Sequence, residues 1–316
     1  QLGDGTGADK RTPMDVVGLG SGVATIAVGY QHTCALTASG GVKCWGENHS
    51  GQLGDSTAGW ETNKRTPVDV VGLDIGLATV VAGGDNTCAL TTAGGVKCWG
   101  DNSLGQLGDG STADKSTPAD VVGLDNGVTA IAAGYHHTCA LTTAGGVKCW
   151  GDNSLGQLGD GSTEDKLTPV DVVGLGSDVA AIATSDGHTC AMTRTGVVKC
   201  WGYNEYGQLG DGTTTDKSIP TDVVGLDNTV SDIVAGGYHT CALTTAGGVK
   251  CWGYNYYGQL GDGTTGWQTH KRTPVDVVGL GSGIAAIAAG LVHTCALTMV
   301  GGVKCWGYNY YGQLGD

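Results

Sequence analysis

Residues 137–159 read HTCALTTAGGVKCWGDNSLGQLG, and versions of this stretch recur along the whole chain. The tetrapeptide Gln-Leu-Gly-Asp marks the period, because successive copies begin 51 or 54 residues apart, at Gln1, Gln52, Gln106, Gln157, Gln208, Gln259 and Gln313. All six prolines occupy one phase of the repeat. A period of about 50 residues is typical of repeat architectures such as propellers, so this stretch decides the fold class.

Each repeat contains four short strand patterns. Residues 23–28 are small, apolar and β-branched, as in a buried inner strand. Residues 33–37 and 42–46 read as a hairpin around a glycine turn, and residues 67–71 read as a fourth strand that begins with a proline. Proline is tolerated there only if the strand lies at a sheet edge. The pattern predicts an all-β fold, a β-propeller of four-stranded blades in a single domain, 1–316.

Six repeats fit the chain, and we therefore expect six blades. The repeats span 1–51, 52–105, 106–156, 157–207, 208–258 and 259–312, followed by a restart at 313–316. We expect the N-terminal strand, Pro13 to Val17, to complete the last blade, because ring closure hides the sheet edges. Residues 1–4 duplicate residues 313–316, however, and both copies cannot occupy one place. The competing interpretation is therefore a segment of a longer array, or a subunit that donates its end strand to a neighbour.

The twelve cysteines fall in six pairs with a separation of ten residues: Cys34 and Cys44, Cys88 and Cys98, Cys139 and Cys149, Cys190 and Cys200, Cys241 and Cys251, and Cys295 and Cys305. Each pair straddles one hairpin turn, in a register that brings the two residues within disulfide distance. The spacing differs from that of thiolate metal sites. Disulfides indicate an extracellular or cell-surface protein, or a periplasmic one. Unpaired thiols in a cytosolic protein are the alternative.

The charge of the chain limits its partners. There are 16 Lys and Arg residues against 30 Asp and Glu residues, which gives a net charge of −14. A nucleic-acid partner is excluded, because phosphate binding needs a basic surface. Docking on anionic lipid is excluded for the same reason, and no apolar run is long enough to insert into a membrane.

The strand His137 to Leu141, the strand end Trp150 to Asn153 and the loop Gly156 to Gly159 resemble the regulator of chromosome condensation repeat family. The resemblance recurs six times and implies a β-propeller, which is seven-bladed in most members; seven blades are thus the alternative to six. The nuclear exchange and chromatin roles of the namesake do not fit an acidic chain with paired cysteines. The chain is more similar to secreted bacterial members, which bind other proteins.

No set of residues suggests an enzyme or a cofactor. An active site needs one set of groups that departs from the repeat, and none is found. The acidic loops, such as 109–114, suggest calcium only weakly, because they lack the bidentate glutamate of an EF-hand and Asx turns explain them. The histidines that precede Thr-Cys are expected to hydrogen-bond their own turns, a role that an asparagine can share: His32, Asn86, His137, His188, His239 and His293.

Departures from the repeat are the better functional clue. The loop after the third strand gains three residues twice, which introduces Trp60 and Trp267. The same loop becomes rich in tyrosine late in the chain, at Tyr203, Tyr206, Tyr254, Tyr256, Tyr257, Tyr308, Tyr310 and Tyr311. We hypothesise that these residues form one recognition surface, because Tyr and Trp give a large contact area at low entropic cost. Tyrosines that only pack on their own loops are the alternative.

The sequence therefore predicts an extracellular, non-enzymatic interaction scaffold that binds a protein partner or other copies of itself. Two other functions stay open. One is a structural subunit of an extracellular homopolymer or filament. The other is a carbohydrate-binding propeller, since aromatic loops beside hydroxyl-rich neighbours stack on sugar rings.

Overall fold

The computed structural model describes residues 1–73, 76–226 and 228–316. Over these ranges the chain forms twenty-three β-strands and one short 3-10 helix, Trp60–Thr62. None of the described helical structure is long and apolar enough to cross a membrane. The described strands form six antiparallel sheets, one for each repeat, so the predicted six-bladed all-β propeller is confirmed.

The blades are divided equally between two compact units. The first unit comprises Gln1–Asp9, Pro13–Asn153 and Glu164–Asp171. Its strands are β1 Val23–Val28, β2 His32–Thr37, β3 Val42–Gly46, β4 Lys64–Asp69, β5 Leu77–Ala82, β6 Asn86–Thr91, β7 Val96–Gly100, β8 Lys115–Asp120, β9 Val128–Ala133, β10 His137–Thr142, β11 Val147–Gly151 and β12 Lys166–Asp171.

The second unit comprises Lys10–Thr12, Ser154–Thr163 and Val172–Asp316. Its strands are β13 Val179–Thr184, β14 His188–Thr193, β15 Val198–Gly202, β16 Lys217–Asp222, β17 Val230–Ala235, β18 His239–Thr244, β19 Val249–Gly253, β20 Lys271–Asp276, β21 Ile284–Ala289, β22 His293–Thr298 and β23 Val303–Gly307. In both units the strands of a blade follow one another in chain order across the sheet.

The central hairpin of each blade has the register that the cysteine spacing predicts. In the first blade Cys34 lies opposite Cys44, and the two form a disulfide with their Cα atoms 4.1 Å apart. The other five pairs do the same. The prediction of six hairpin disulfides is therefore confirmed, and the described part of the chain contains no free cysteine.

The outermost strand begins earlier than the sequence suggests. We expected it to start at Pro67, but β4 begins at Lys64 and contains the proline. The pairing of β4 with β3 jumps from Val68 opposite Cys44 to Lys64 opposite Gly46, so the proline lies in an irregular part of the ladder. Proline has no N–H to donate, and a bulged position in an edge strand does not require one.

The N-terminal segment does not complete the last blade. No strand forms over Pro13–Val17, and the described part of the last sheet contains only β21, β22 and β23. The carbonyl oxygen of Gln1 instead accepts a hydrogen bond from the Trp45 indole of the first blade at 2.6 Å. Gln52 makes the same contact with Trp99. The expectation of a closing strand is therefore wrong: Pro13–Val17 forms no strand, and the Val17 amide donates to the Gly3 carbonyl oxygen at 2.9 Å.

Consecutive blades within a unit pack through the apolar face of the central hairpin. In the first unit, Leu36 and Val42 pack with the Cys34–Cys44 bridge against Val80 and Trp99 of the second blade. In the second unit the equivalent residues form the same kind of cluster. Each blade thus buries one face against the next, as in other repeat proteins.

Among the described residues, the equivalent positions are more exposed on one face of the first blade and one face of the last. Ile26 of β1 is 66% exposed, whereas Val80 at the same position of the second blade is 3% exposed. In the last blade Leu297 is 41% exposed, whereas Leu243 at the same position of the fifth blade is 5% exposed. Val303 beside Leu297 is 68% exposed. These are apolar surfaces that are buried elsewhere in the chain.

A buried pair of histidine and threonine links neighbouring blades. The hydroxyl of Thr87 donates to the carbonyl oxygen of Gln52 at 2.9 Å, so it accepts from Nε2–H of His32 at 2.8 Å. The imidazole of His32 therefore bonds the next blade. We had expected it to bond the turn of its own blade, and for His32 that expectation is wrong. In the fourth blade a turn residue also contacts the ring, since Ser185 Oγ lies 2.6 Å from His188 Nδ1.

The Asn86→His variant should be more stable than the wild type. Both side-chain polar atoms of Asn86 are buried without a hydrogen-bond partner, whereas a histidine here would reach Thr138 as His32 reaches Thr87. One added buried hydrogen bond contributes about 1 kcal/mol to the free energy of unfolding. Urea denaturation measures the change, with Asn86→Ala as the control. A variant that is no more stable than the wild type would contradict the expected bond.

Stability should fall in mild acid. Burial lowers the pKa of His32 and His137 to about 4 and that of His239 to about 3, from an ordinary 6.5. Below pH 6.5 the unfolded chain therefore takes up protons that the folded chain does not. The contribution to stability is complete above pH 6.5 and is lost as the pH falls towards 4.

Urea denaturation at pH 7 and at pH 5 tests this expectation. The wild type should lose more stability between the two than His32→Asn, which carries the residue of the second blade at that position. The difference between the two proteins isolates the imidazole from carboxyl groups that titrate in the same range. Equal losses would refute the assignment.

Candidate aromatic binding surface

The loop after the third strand of each blade has a frame made by two buried side chains. In the fourth blade, Asn204 accepts from the Leu209 amide at 3.0 Å and donates to the Thr215 carbonyl oxygen at 3.1 Å. Gln208 accepts from the amide of Tyr206 at 3.0 Å. The bond from the amide to the asparagine recurs at Asn48, Asn102 and Asn255. The path of the loop is therefore set by residues that every blade shares.

The frame leaves three positions for variation, one before the asparagine and two after it. In the second and third blades these positions carry Asp, Ser and Leu. In the last three blades they are Tyr203, Glu205 and Tyr206; Tyr254, Tyr256 and Tyr257; and Tyr308, Tyr310 and Tyr311. One backbone thus presents different side chains from different blades.

Tyr206 lies at the centre of a ring cluster in the second unit. Its ring centroid is 4.8 Å from that of Tyr254 and 5.2 Å from that of His270. The rings of Tyr238 and Tyr203 lie 5.9 Å and 6.1 Å away. Edge-to-face pairs of this kind each contribute about 0.5–1.5 kcal/mol to stability beyond the burial of their surfaces. These contacts therefore stabilise the arrangement of the rings.

The cluster continues over the fifth and sixth blades. The ring of Trp267 is 4.8 Å from that of Tyr256, and the ring of Tyr257 is 4.6 Å from that of Tyr308. We name the connected set the aromatic surface: Tyr203, Tyr206, Tyr238, Tyr254, Tyr256, Tyr257, Trp267, His270, Tyr308, Tyr310 and Tyr311. Its outermost rings are exposed, with 65% for Trp267, 71% for Tyr310 and 61% for Tyr311.

Sequence reasoning missed two members of this surface. Tyr238 precedes the repeated histidine, outside the loop in which we sought aromatic residues. The sequence feature that could have identified Tyr238 is that each repeat carries a different residue at this position. His270 is not aromatic in the sense that the loop hypothesis used, and its Nδ1 accepts from the Asn255 amide at 3.0 Å. That bond replaces a carboxylate used in other blades, such as Asp216 with Asn204, so His270 is part of the frame as well.

Trp60 belongs to the first unit and has a local partner there. Its ring stacks on His49, with centroids 4.1 Å apart and an interplanar angle of 22°. Both residues belong to the loop of the first blade, and Trp60 remains 66% exposed. Of the residues hypothesised to form one recognition surface, those of the last three blades and Trp267 form a connected set within the second unit, whereas Trp60 is paired with His49 in the first.

Two carboxyl groups border the aromatic surface. The hydroxyl of Tyr203 donates to Glu205, and Tyr238 hydrogen-bonds Asp186. Burial raises the pKa of Asp186 to about 6, so this carboxyl is ionised at neutral pH and loses its charge in mild acid. Burial lowers the pKa of His270, so its imidazole is neutral at neutral pH. The surface therefore carries negative charge beside its rings.

The acidic loops have a structural explanation. Asp109 accepts from the Ser111 amide at 2.9 Å, and its other oxygen lies 3.2 Å from the Lys115 ammonium. These are the contacts of an Asx turn with an added ion pair. Across the described residues, no group of three or more His, Cys, Asp or Glu side chains is arranged to hold a metal ion.

Comparison with known proteins identifies relatives along the whole chain. A model described as the RCC1-like domain matches residues 1–228, and regulator of chromosome condensation (RCC1) repeat models match residues 230–259, 284–313 and 246–297. The ultraviolet-B receptor UVR8 of Arabidopsis thaliana is 34% identical over 324 residues, which cover 100% of this chain and 72% of the receptor. The human E3 ubiquitin-protein ligase HERC2 is 33% identical, but the chain spans only 7% of its length.

A solved structure supports the same relationship. Prp20p of Saccharomyces cerevisiae has a TM-score of 0.79 and 25% sequence identity, over 93% of this chain and 73% of Prp20p. The RCC1-like model alone matches well over half of the chain, and the relationship to UVR8 extends over all of it. This chain belongs to the regulator of chromosome condensation (RCC1) repeat family.

Proposed function

We propose that this protein is an extracellular, non-enzymatic scaffold that binds a protein partner through the aromatic surface of its second unit. The observation that carries the proposal is the division of labour in the loops. Buried Asn and Gln side chains hold the backbone, while the variable positions present connected, exposed rings. Tyr and Trp in such an arrangement are the residues that dominate protein interfaces.

Relatives support a binding role. UVR8 is named as a receptor, and the structure of Prp20p was determined together with its binding properties to Gsp1p and histones. The extracellular location is supported by the six hairpin disulfides, since disulfides persist mainly in oxidising compartments.

Exchange of a loop tests the aromatic surface without disturbing the frame. Tyr254→Asp, Tyr256→Ser and Tyr257→Leu together install the side chains that the second and third blades carry on the same backbone. Binders are selected against the wild type from a displayed protein library, and their affinities for both proteins are compared. We expect the exchange to weaken selected binders about tenfold or more, because interface tyrosines each contribute roughly 1–2 kcal/mol.

A matched control carries Ser103→Ala and Leu104→Ala in the loop of the second blade and should bind as the wild type does. Equal melting temperatures would show that the variants are folded. Binders that ignore the loop exchange, or a library that yields none, would refute the proposal. A glycan array with the same proteins tests the carbohydrate alternative. If sugar binding is lost in the loop-exchange variant and no protein binders are found, carbohydrate binding is the function of this surface and the proposal is wrong.

Self-association is a second candidate function, favoured by the more exposed faces of the first and last blades. Val28 of β1 is 68% exposed beside Ile26, and Leu297 and Val303 expose the opposite kind of face on the last blade. Faces of these two kinds pack together between consecutive blades. Contact between the first blade of one copy and the last blade of another would be heterologous, which builds rings or filaments.

Light scattering over a range of concentrations tests self-association. We expect masses that are multiples of the 31.7 kDa chain, and their loss in Val28→Lys, whose side chain is already exposed. The loop-exchange variant is the control and should keep the wild-type mass. A monomer at all concentrations would exclude this function.

A further inference from the structure

The aromatic surface contains a pocket of the size of one side chain. It lies in the second unit, and its volume is about 200 Å³. Tyr206 and Trp267 contribute aromatic rings, Glu205 contributes a carboxylate, and His270 and Arg272 complete the charged or titratable lining. Cofactor pockets are larger than this, at about 300–1,000 Å³. The pocket therefore fits a protruding group of a partner better than a separate small molecule.

The chemistry of the lining favours a cation. The faces of aromatic rings carry negative charge density and attract ammonium and guanidinium groups, with Trp the strongest. Trp267 leaves 65% of its surface open, and its ring centroid lies 4.8 Å from that of Tyr256. Glu205 supplies a full negative charge at the pocket. The Tyr203 hydroxyl donates to this carboxylate, which has further lone pairs for an incoming donor.

Negative charge also extends beyond the pocket. Tyr238, which hydrogen-bonds Asp186, lies 5.9 Å from Tyr206 in ring centroids, so a second carboxylate borders the same cluster. The whole chain carries a net charge of −14, which attracts basic partners over long range. Arg272 is the one permanent cation among the residues that line the pocket, and it opposes a cationic ligand.

We propose that this pocket accepts a lysine or arginine side chain from a basic segment of the protein partner, between Tyr206, Trp267 and Glu205. The inference rests on the proposed function and specifies the partner's chemistry. Arg272 allows an experiment to distinguish a cationic ligand from an anionic one, because an acidic peptide or an anionic sugar would bind the guanidinium. The two kinds of ligand therefore respond to the loss of Arg272 in opposite directions.

The chain itself suggests conservative variants. Glu205→Ser installs the serine that the second and third blades carry at the same loop position, Ser103 and Ser154. Arg272→Ser installs the residue of the second and fourth blades at the same strand position, Ser116 and Ser218. Both substitutions thus reproduce local sequences that already fold in this protein. Trp267→Ala removes the exposed ring.

The experiment measures binding of fluorescein-labelled octalysine and octaarginine by fluorescence anisotropy, with octaglutamate as the anionic probe. We expect Glu205→Ser and Trp267→Ala each to weaken the basic probes about two- to fivefold, and Arg272→Ser to strengthen them by a similar factor. Octaglutamate should not bind. Basic probes that ignore all three substitutions, or an Arg272→Ser variant that loses binding, would overturn the inference.

The binders selected against the aromatic surface keep this test separate from that of the proposed function. If they lose affinity in the loop-exchange variant but are indifferent to Glu205→Ser, to Arg272→Ser and to replacement of their own lysines and arginines, the scaffold function stands and the cation pocket fails. If binders are absent altogether, the proposed function fails first. Support for both requires binders that depend on the loop, on Glu205 and on their own basic residues.

Discussion

The carbonyl oxygen of Gln52, in the loop after the third strand of the first blade, accepts two buried hydrogen bonds from the second blade, one from the Trp99 indole at 3.0 Å and one from the Thr87 hydroxyl at 2.9 Å. The same pair of bonds recurs on Gln157 in the second unit. An unpaired carbonyl at this depth would be costly, so the loop that carries the glutamine and the hairpin that carries the tryptophan must be placed together. The pair of bonds also recurs on Gln208 and Gln259, so the loops of the fourth and fifth blades that carry tyrosines depend on this constraint.

That constraint separates the residues that fold the chain from those that are free to bind. The backbone of Gln208 is held by Trp252 and Thr240, and its side chain in turn holds the amide of Tyr206. The side chain of Asn204 accepts a hydrogen bond from the Leu209 amide in the same loop. Because these groups set the path of the backbone, the side chains between them can change without loss of the fold. The last three blades use this freedom to present tyrosines.

The disulfides compensate for a core of small residues. Inner strands such as Val128–Ala133 and Ile284–Ala289 are built mainly from alanine and one or two larger aliphatic residues. Such strands bury little apolar area, so each hairpin gains from a covalent link between its two strands. The bridges also form part of the apolar face that the next blade covers, as Cys34 and Cys44 do. They therefore stabilise both the hairpin and the contact between blades.

The sequence by itself determined the repeat, the four-stranded blade, the hairpin register and the loops that carry aromatic residues. These features are local: the cysteines of a hairpin are ten residues apart, and their pairing follows from the turn between them. Only the tertiary structure decided that His32 bonds Thr87 across 55 residues, that Tyr238 and His270 join the ring cluster, and that Pro13–Val17 forms no closing strand. The reason is that near-identical repeats offer many equivalent partners, and contacts between blades depend on which of them the packing brings together.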